Sequence, residues 1–588
     1  MYKYVDNYVI DWRYCNCAWL LLAALLLTSC GGASSGSGNT FLAQSSSQSL
    51  VQAQTSAFPS SVSASLSSRS LSPLVSSSHS SSLIVAGPLQ LSGVVSYDYV
   101  PHNSNYIGLN YAATEIRPGR GLVVELVDDK DNLFAATQTD NFGHYSFNVQ
   151  QNQLVRVRVK AQLQQSTLPT WDVKVVDNTQ KNQLYVMAGT LASTGNLSSQ
   201  RNLHALSGWV NDSYQQLRVA APFAILDTIY TGLQRMSDAG HQTNFTPLSI
   251  GWSSQNKPAD GDISLGEIST SYFDGAAIYL LGDANNDTDE YDPDVILHEW
   301  SHYVEALFSR SDSPGGDHSY GDRLDFRVAM AEGYANAFAA ILLNDPIYRD
   351  TNGARQTNGF FYDLRRKNHT VRGWYAEASI ESVLYNYYAD AIEKSPFELA
   401  DILTILKSSR YANSDAMVSI FLFAQMLREL KPEHAPLFNR LLQEQNISVT
   451  DEYGQGESNS SGTQNVLPLY KTLNANGMSI NVCSTNSYGN FNKLGNSQFA
   501  KLQITSAGTY KLTARQQGTS LINSDPDMII YSKGNVVMSA FGAAANQESV
   551  SVFLAVGTYI LELFEAQVHD ELVSDESRAC FDVSLVRN

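Results

Sequence analysis

Residues 298–302 read His298-Glu299-Trp300-Ser301-His302, and this spacing constrains the chain more than anything else in it. Residues four apart on a helix share a face, so both imidazoles can meet one ion. Two such imidazoles grip a single Zn²⁺, and the intervening carboxylate stands where it can take a proton from water beside the metal. The flanking residues predict the helix that this geometry needs. Asp292-Pro293-Asp294 supplies a capping Asp, a Pro in the first turn and an acid at the positive end of the helix dipole. Leu297, Trp300, Val304, Leu307 and Phe308 then recur at helical spacing, which predicts a largely buried, amphipathic helix. Two His and a Glu on a buried helix need a partner, and a metal satisfies them together. A polar surface helix is the competing interpretation, and the apolar stripe argues against it.

A catalytic zinc takes a third protein ligand and keeps an open position. The continuation His-x-x-Gly-x-x-His is excluded, because Glu305 stands at the Gly position and Phe308 at the His position. The strongest remaining candidate is Glu332, in Ala331-Glu332-Gly333-Tyr334-Ala335-Asn336-Ala337-Phe338-Ala339-Ala340. This segment is predicted to be a second helix ending near Asn344-Asp345-Pro346, with small residues that allow close packing on the first. Asn336, one turn after Glu332, is placed to hydrogen-bond a zinc-ligating His. The alternative is an ordinary helical acid at 332.

H-E-x-x-H followed by E-G-aromatic-x-[DN] resembles the gluzincin metalloproteases, the group of thermolysin and fungalysin. The fungalysin pattern E-G-W-S-D is similar to Glu332-Gly333-Tyr334-Ala335-Asn336. The resemblance implies His298, His302 and Glu332 as zinc ligands and Glu299 as general base. It also implies a zinc metalloendopeptidase whose zincin-like catalytic domain has a mixed N-terminal lobe and a helical C-terminal lobe. Gly275-Ala276-Ala277-Ile278-Tyr279-Leu280-Leu281-Gly282-Asp283 resembles the edge strand that holds an extended substrate in such enzymes. There are two departures. The stretch from Ser309 to Arg327 lengthens the gap between His302 and Glu332, suggesting an inserted loop near the cleft, and Asn336 replaces the usual Asp. Gluzincins also use a Tyr or His to stabilise the oxyanion. By placement after the glutamate, Tyr375 is the first choice for that role and His369 the second.

The N-terminal sequence points to export. Lys3 and Arg13 precede an apolar run from Ala18 to Leu27, too short for a permanent transmembrane helix, so residues 1–29 are expected to be a signal peptide. Leu27-Thr28-Ser29-Cys30 resembles the bacterial lipobox, which implies acylation of Cys30 and a lipid anchor in the cell envelope. Gly31 follows where inner-membrane lipoproteins carry Asp, so by that analogy the outer membrane is favoured. A plain secretory signal with a chance Cys is the alternative. Residues 30–86 are Ser-dominated and cannot bury enough apolar surface to fold, so they are expected to be a tether. Of the five cysteines, Cys15 and Cys17 leave with the signal peptide and Cys30 takes lipid, leaving Cys483 and Cys580 as a predicted disulfide. The net charge of −19, without a basic patch, excludes nucleic acid as the expected partner.

Two β modules flank the catalytic segment, giving a multidomain α+β chain. Residues 87–200 contain strand signals at Leu122–Val127 and Val155–Lys160, with Thr139-Asp140-Asn141-Phe142-Gly143-His144-Tyr145-Ser146-Phe147 between them. That last run resembles the signature of the carboxypeptidase regulatory-like β-sandwich. The catalytic domain is expected over 201–455, with a helix beginning at Ala220–Tyr230, and a linker at 456–466. Residues 467–588 carry paired strand signals, Gly508–Ala514 and Gly557–Leu563, and resemble the pre-peptidase C-terminal β-sandwich. Asp283, Asn285, Asp287 and Asp289 alternate as Ca²⁺ ligands do, but Thr288 and Asp294 break the EF-hand pattern. A solvated acidic turn is preferred over calcium there.

Two functional readings remain at the level of sequence. One is an envelope-tethered zinc endopeptidase acting on protein or peptide. The other is a non-enzymatic surface adhesin with a structural zinc closed by a fourth ligand, for which His318 is the only nearby candidate.

Overall fold

The strict alternation over Val155–Lys160 belongs to a longer strand, Leu154–Gln165, whose inward residues are buried. It lies in the middle of a twisted sheet. On one side it pairs antiparallel with Leu122–Val127, and on the other with Trp171–Asp177. The sheet then continues through two parallel pairings, Trp171–Asp177 with Leu248–Trp252 and Leu248–Trp252 with Ala277–Leu280. A two-residue strand, Tyr272–Phe273, closes the edge in antiparallel register. A second sheet forms around Leu89–Tyr99, which pairs antiparallel with His144–Val149 and parallel with Leu203–Ala205. The computed structural model describes residues 89–392, 399–517, 523–569 and 577–588. The expected signal peptide, Cys30 and the Ser-rich tether lie outside the described residues.

The predicted boundary at 200/201 therefore falls inside continuous structure. Strands from both sides of it share one sheet, and their side chains share one hydrophobic core with the helices that follow. A local reading of strands finds the elements but not their partners, because pairing between distant segments leaves no trace in hydrophobic period.

Four helices matter for the site. The first, α1, spans Ala221–Asp238. The second, α2, spans Pro293–Phe308 and carries the H-E-x-x-H residues. Its apolar stripe is buried as the sequence predicts: Leu297, Trp300 and Val304 are at most 1% exposed. Asp292 occupies the capping position, yet its carboxylate makes no cap. It accepts instead from Thr351 N at 2.9 Å and Thr351 Oγ1 at 2.8 Å, and meets His102 Nε2 at 2.8 Å. The start of α2 is thus fixed by a neighbouring strand, Ile347–Asn352, rather than by its own cap. The third helix, α3, spans Phe326–Leu343 and is buried almost all round, as a central helix must be. It ends at Asn344, which adopts the left-handed conformation common at helix C-termini. The fourth, α4, spans Glu377–Ile392. A β-carbon on Gly333 would stand 2.5 Å from the Ile380 β-carbon, so only glycine lets α3 and α4 approach this closely.

The C-terminal region forms two facing sheets around its own core. One contains Tyr470–Leu473, Gln498–Ile504, Gly557–Glu565, Pro526–Ser532 and Asn535–Ala540, and the other Ile480–Thr485, Arg578–Arg587, Gly508–Gln516 and Gln547–Leu554. The two signals Gly508–Ala514 and Gly557–Leu563 accordingly lie in opposite sheets and are not neighbours. The disulfide between Cys483 and Cys580 is formed, joining two residues directly opposite in an antiparallel pair.

This sandwich is bolted to α3 by a buried ion triad. The Arg327 guanidinium donates to Asp325 at 3.0 Å and to both oxygens of Glu562, at 2.9 and 2.6 Å. All three side chains are at most 5% exposed. Removing one member of such a set strands the others without compensation. Arg327→Met should cost about 3–5 kcal/mol, read as a drop in the urea or thermal midpoint. Adding Glu562→Gln should recover part of the loss; a midpoint unchanged in the single variant would contradict the triad's role.

Candidate metal centre

The two helices bring three donor atoms to one point. His298 Nε2 and His302 Nε2 are 3.2 Å apart, and each lies within 3.3 Å of Glu332 Oε2. The i, i+4 spacing on α2 aligns the imidazoles, and Glu332 arrives from the adjacent face of α3. Near-contact of two imidazoles and a carboxylate at one point is the arrangement that a divalent metal can bind.

The surrounding hydrogen bonds fix the ring in the form that ligation needs. Asn336 donates its amide N–H groups to Glu377 Oε1 at 2.6 Å and Glu381 Oε2 at 3.2 Å. Its carbonyl oxygen therefore faces His298 Nδ1, 2.6 Å away, and accepts that proton. His298 Nε2 is left with a free lone pair directed at Glu332. Glu381 in turn accepts from the Tyr320 hydroxyl at 2.7 Å. The close α3–α4 packing at Gly333 is what brings Glu377 and Glu381 within reach of Asn336. These two acids were not singled out in the sequence, although their i, i+4 spacing beside Tyr375 is a visible signal.

Glu299 is 8% exposed, with the backbone N–H of Phe273 close enough to favour its charged form slightly. Burial pushes its carboxyl up, against the pull of His298 and His302. Glu332 behaves oppositely: against burial, His302 and His298 draw it well below the usual carboxylate range. His302 is lifted to about 9, because Glu332 outweighs the effect of burial. The edge of the main sheet nearest this group is Tyr272–Phe273, not the 275–283 segment. Ala277–Leu280 has neighbours on both sides, so its pairing groups are already used.

Tyr375 is not brought to the cluster. It is 3% exposed, and its hydroxyl is engaged by the Arg372 carbonyl at 3.1 Å and by Asn459 Oδ1 at 3.0 Å. Asn459 belongs to the 456–466 segment, which is tied down here despite its linker-like composition. His369 is buried against Tyr320, with ring centroids 6.3 Å apart. His318 does reach the cluster. Its Nε2 lies 3.5 Å from Glu332 Oε2 and 3.9 Å from Glu377 Oε2. It stands beside the group of three mutually close donors and is not one of them.

A second convergence lies nearby. Asp287, Asp289 and Asp350 offer carboxylate oxygens within 4.8 Å of one another. Asp287 and Asp289 come from the acidic run read in the sequence, whose residues fold into a hairpin, Gly282–Asp283 with Asp287–Thr288. Asp350 comes from the strand Ile347–Asn352 and had no sequence signal. Burial and then the charge of Asp350 push Asp287 up to about 8. Burial and neighbouring carboxylates also raise Asp289 and Asp350 well above the usual range.

No family model matches this chain, and no curated protein matches it. Among solved structures it is weakly similar to the pre-peptidase C-terminal domain of collagenase from Bacillus anthracis. That match has 10% identity over 20% of this chain and 95% of the other, with a TM-score of 0.14. The periplasmic lysozyme inhibitor PliG of Aeromonas hydrophila matches at 11% identity over 20% and 96%, with a TM-score of 0.13. A β-glucosidase from Paenibacillus barengoltzii matches at 13% identity over 27% and 17%, with a TM-score of 0.11.

Two measurements test this geometry. Asn336→Ala should weaken zinc binding about 10–100-fold in competition with a chromophoric chelator, since the orienting partner of His298 is lost. Tyr375→Phe should leave that affinity unchanged. The acidic cluster predicts a pH effect in metal-free protein. Its folded-state pKa values are raised above the unfolded Asp value of about 3.9, so the folded state holds more protons between the two, and stability falls as pH rises. Thermal midpoints in chelator should drop from pH 4.5 to pH 8, and Asp350→Asn should flatten the slope. A midpoint that rises over that range in metal-free protein would sink the account.

Proposed function

We propose that this chain is a zinc-dependent endopeptidase with a gluzincin-type, zincin-like catalytic domain. The observation that carries the proposal is the convergence of His298 Nε2, His302 Nε2 and Glu332 Oε2 from two helices, with the buried carboxylate of Glu299 on the same α2 segment. The donor set suits zinc: two imidazoles, one carboxylate and an oriented His298. Among the described residues three protein donors converge and His318 lies outside their mutual set, which favours this reading over a site closed by four protein ligands.

Bound zinc supplies Lewis-acid polarisation of a carbonyl and lowers the pKa of water. The chain's own residues do the rest. Glu299 accepts the proton of the attacking water and delivers it to the leaving amine. Burial raises its proton affinity, which favours taking a proton from water. The Phe273 N–H lies close to that carboxylate, and the edge strand Tyr272–Phe273 offers backbone groups to an extended peptide. The proposal extends to a Ca²⁺ at Asp287, Asp289 and Asp350 with a stabilising role, and to a cell-envelope location, favouring the outer membrane, through lipid on Cys30.

Glu299→Gln is the direct test. Zinc stoichiometry and fold should be retained while peptide cleavage drops by about 10²–10⁴-fold. Parental turnover in that variant would remove Glu299 from the chemistry.

A further inference from the structure

Residues 309–325 connect the two ligand-bearing helices, and the C-terminal sandwich grips this loop along its length. Asn492 Nδ2 donates to the Gly315 carbonyl at 2.9 Å, and Lys493 Nζ donates to the Asp317 carbonyl at 2.7 Å. Lys493 Nζ also lies 3.5 Å from Asp322. Backbone bonds continue the grip, from Leu494 N to Arg323 O at 2.8 Å and from Asp325 N to Asn492 O at 2.7 Å. The Phe491 ring seats on Gly316, where a β-carbon would come within 2.2 Å of it; with φ at +93°, this is a position for glycine on both counts. The residues so held, Gly315 to Asp317, immediately precede His318.

Among the described residues, His318 is the imidazole near the cluster that is neither a member of the three-donor set nor hydrogen-bonded into a core. Its side chain is 26% exposed, its Nδ1 is 3.2 Å from the Gly316 carbonyl, and its Nε2 faces Glu332 and Glu377. A carbonyl and carboxylates accept, so Nδ1–H donates to Gly316 and the ring presents Nε2–H, a donor, to the space beside Glu332. The loop has no regular secondary structure over 310–319 that would set this position. What sets it is the contact with 491–494.

We propose that His318 is the side chain that hydrogen-bonds the reacting carbonyl oxygen of a bound peptide, the role the sequence assigned to Tyr375, and that the 491–494 segment is its clamp. The C-terminal sandwich then belongs to the catalytic apparatus rather than being an appended binding module. Asn492 and Lys493 act only through His318, as positioning residues. This rests on the peptidase reading, since it needs a peptide carbonyl at the metal.

The test is a cycle in the full chain: His318→Ala, the clamp variant Asn492→Ala/Lys493→Met, and all three changes together. Zinc affinity should stay within about threefold of the parent throughout, and the visible spectrum of the Co²⁺-substituted protein should be unchanged by His318→Ala, because His318 is not a ligand. Amide exchange across 313–319 should accelerate in the clamp variant. Loss of one oxyanion donor lowers kcat by about 10²–10³-fold, with KM little changed. The clamp variant should lose part of that, Lys493→Arg on the Asn492→Ala background should restore some of it, and the triple variant should be no worse than His318→Ala. An altered Co²⁺ spectrum in His318→Ala would make it a ligand and overturn the proposal. So would parental kcat in that variant, or a triple variant whose losses multiply. A parent that binds zinc but cleaves no peptide overturns the peptidase reading instead, and the substrate role of His318 with it.

Discussion

The arrangement depends on one buried amide. Asn336 places its carbonyl on His298 and its amino group between Glu377 and Glu381. An aspartate there would put a third carboxylate against two others in a space closed to water, at a cost that grows as the dielectric falls. The amide avoids this, because it can accept from the imidazole and donate to both acids at once. Asn at 336 is thus matched to Glu377 and Glu381, supporting His298 without adding a third charge.

The amide can do this only because α3 and α4 nearly touch at Gly333. Their approach brings Glu377 under Asn336, and α3 in turn presents Glu332 to α2. At its other end α3 begins at the Asp325–Arg327–Glu562 triad, so the helix that supplies one candidate ligand is anchored on the C-terminal sandwich. The same sandwich holds the loop that precedes α3. Two kinds of contact, a desolvated ion set and a run of backbone hydrogen bonds, thus connect a β module to the candidate metal centre.

What could be read from the sequence follows from how local each signal is. The α2 helix and its three motif residues are legible because period, cap-like residues and motif all fall within about five turns of one helix. Glu332 is legible through the small-residue helix around it. The Cys483–Cys580 disulfide follows from counting, since the other three cysteines fall in the segment expected to be a leader and at the expected lipidation site. Asp292 shows the limit: its sequence position is that of a cap, but a strand some sixty residues later competes for its carboxylate and wins with two hydrogen bonds from Thr351. Asp350 is out of reach for the same reason, since it approaches its neighbours through tertiary contacts alone and sits in no recurring pattern; His318 is visible as a nearby imidazole, but the sequence does not say which atoms it faces. Tyr375 was chosen by its order in the chain, and order does not say where a hydroxyl points.

The domain boundary at 200/201 makes the complementary point. Residues 122–177 look self-contained in sequence, since they alternate, turn and alternate again. In the fold their last strand, Trp171–Asp177, is the parallel neighbour of Leu248–Trp252, and the sheet runs on to the edge where the Phe273 N–H meets Glu299. Parallel neighbours need a crossover, and here the crossover includes α1, which packs on the same sheet. The backbone that holds the candidate general base is therefore positioned by a sheet whose far strands lie in the N-terminal β region. Strain or loosening there can be transmitted to Glu299 through paired backbone rather than through any side chain of the motif. The motif points to the proposed chemistry, and the sheet and the sandwich on either side of it determine how accurately the motif is held.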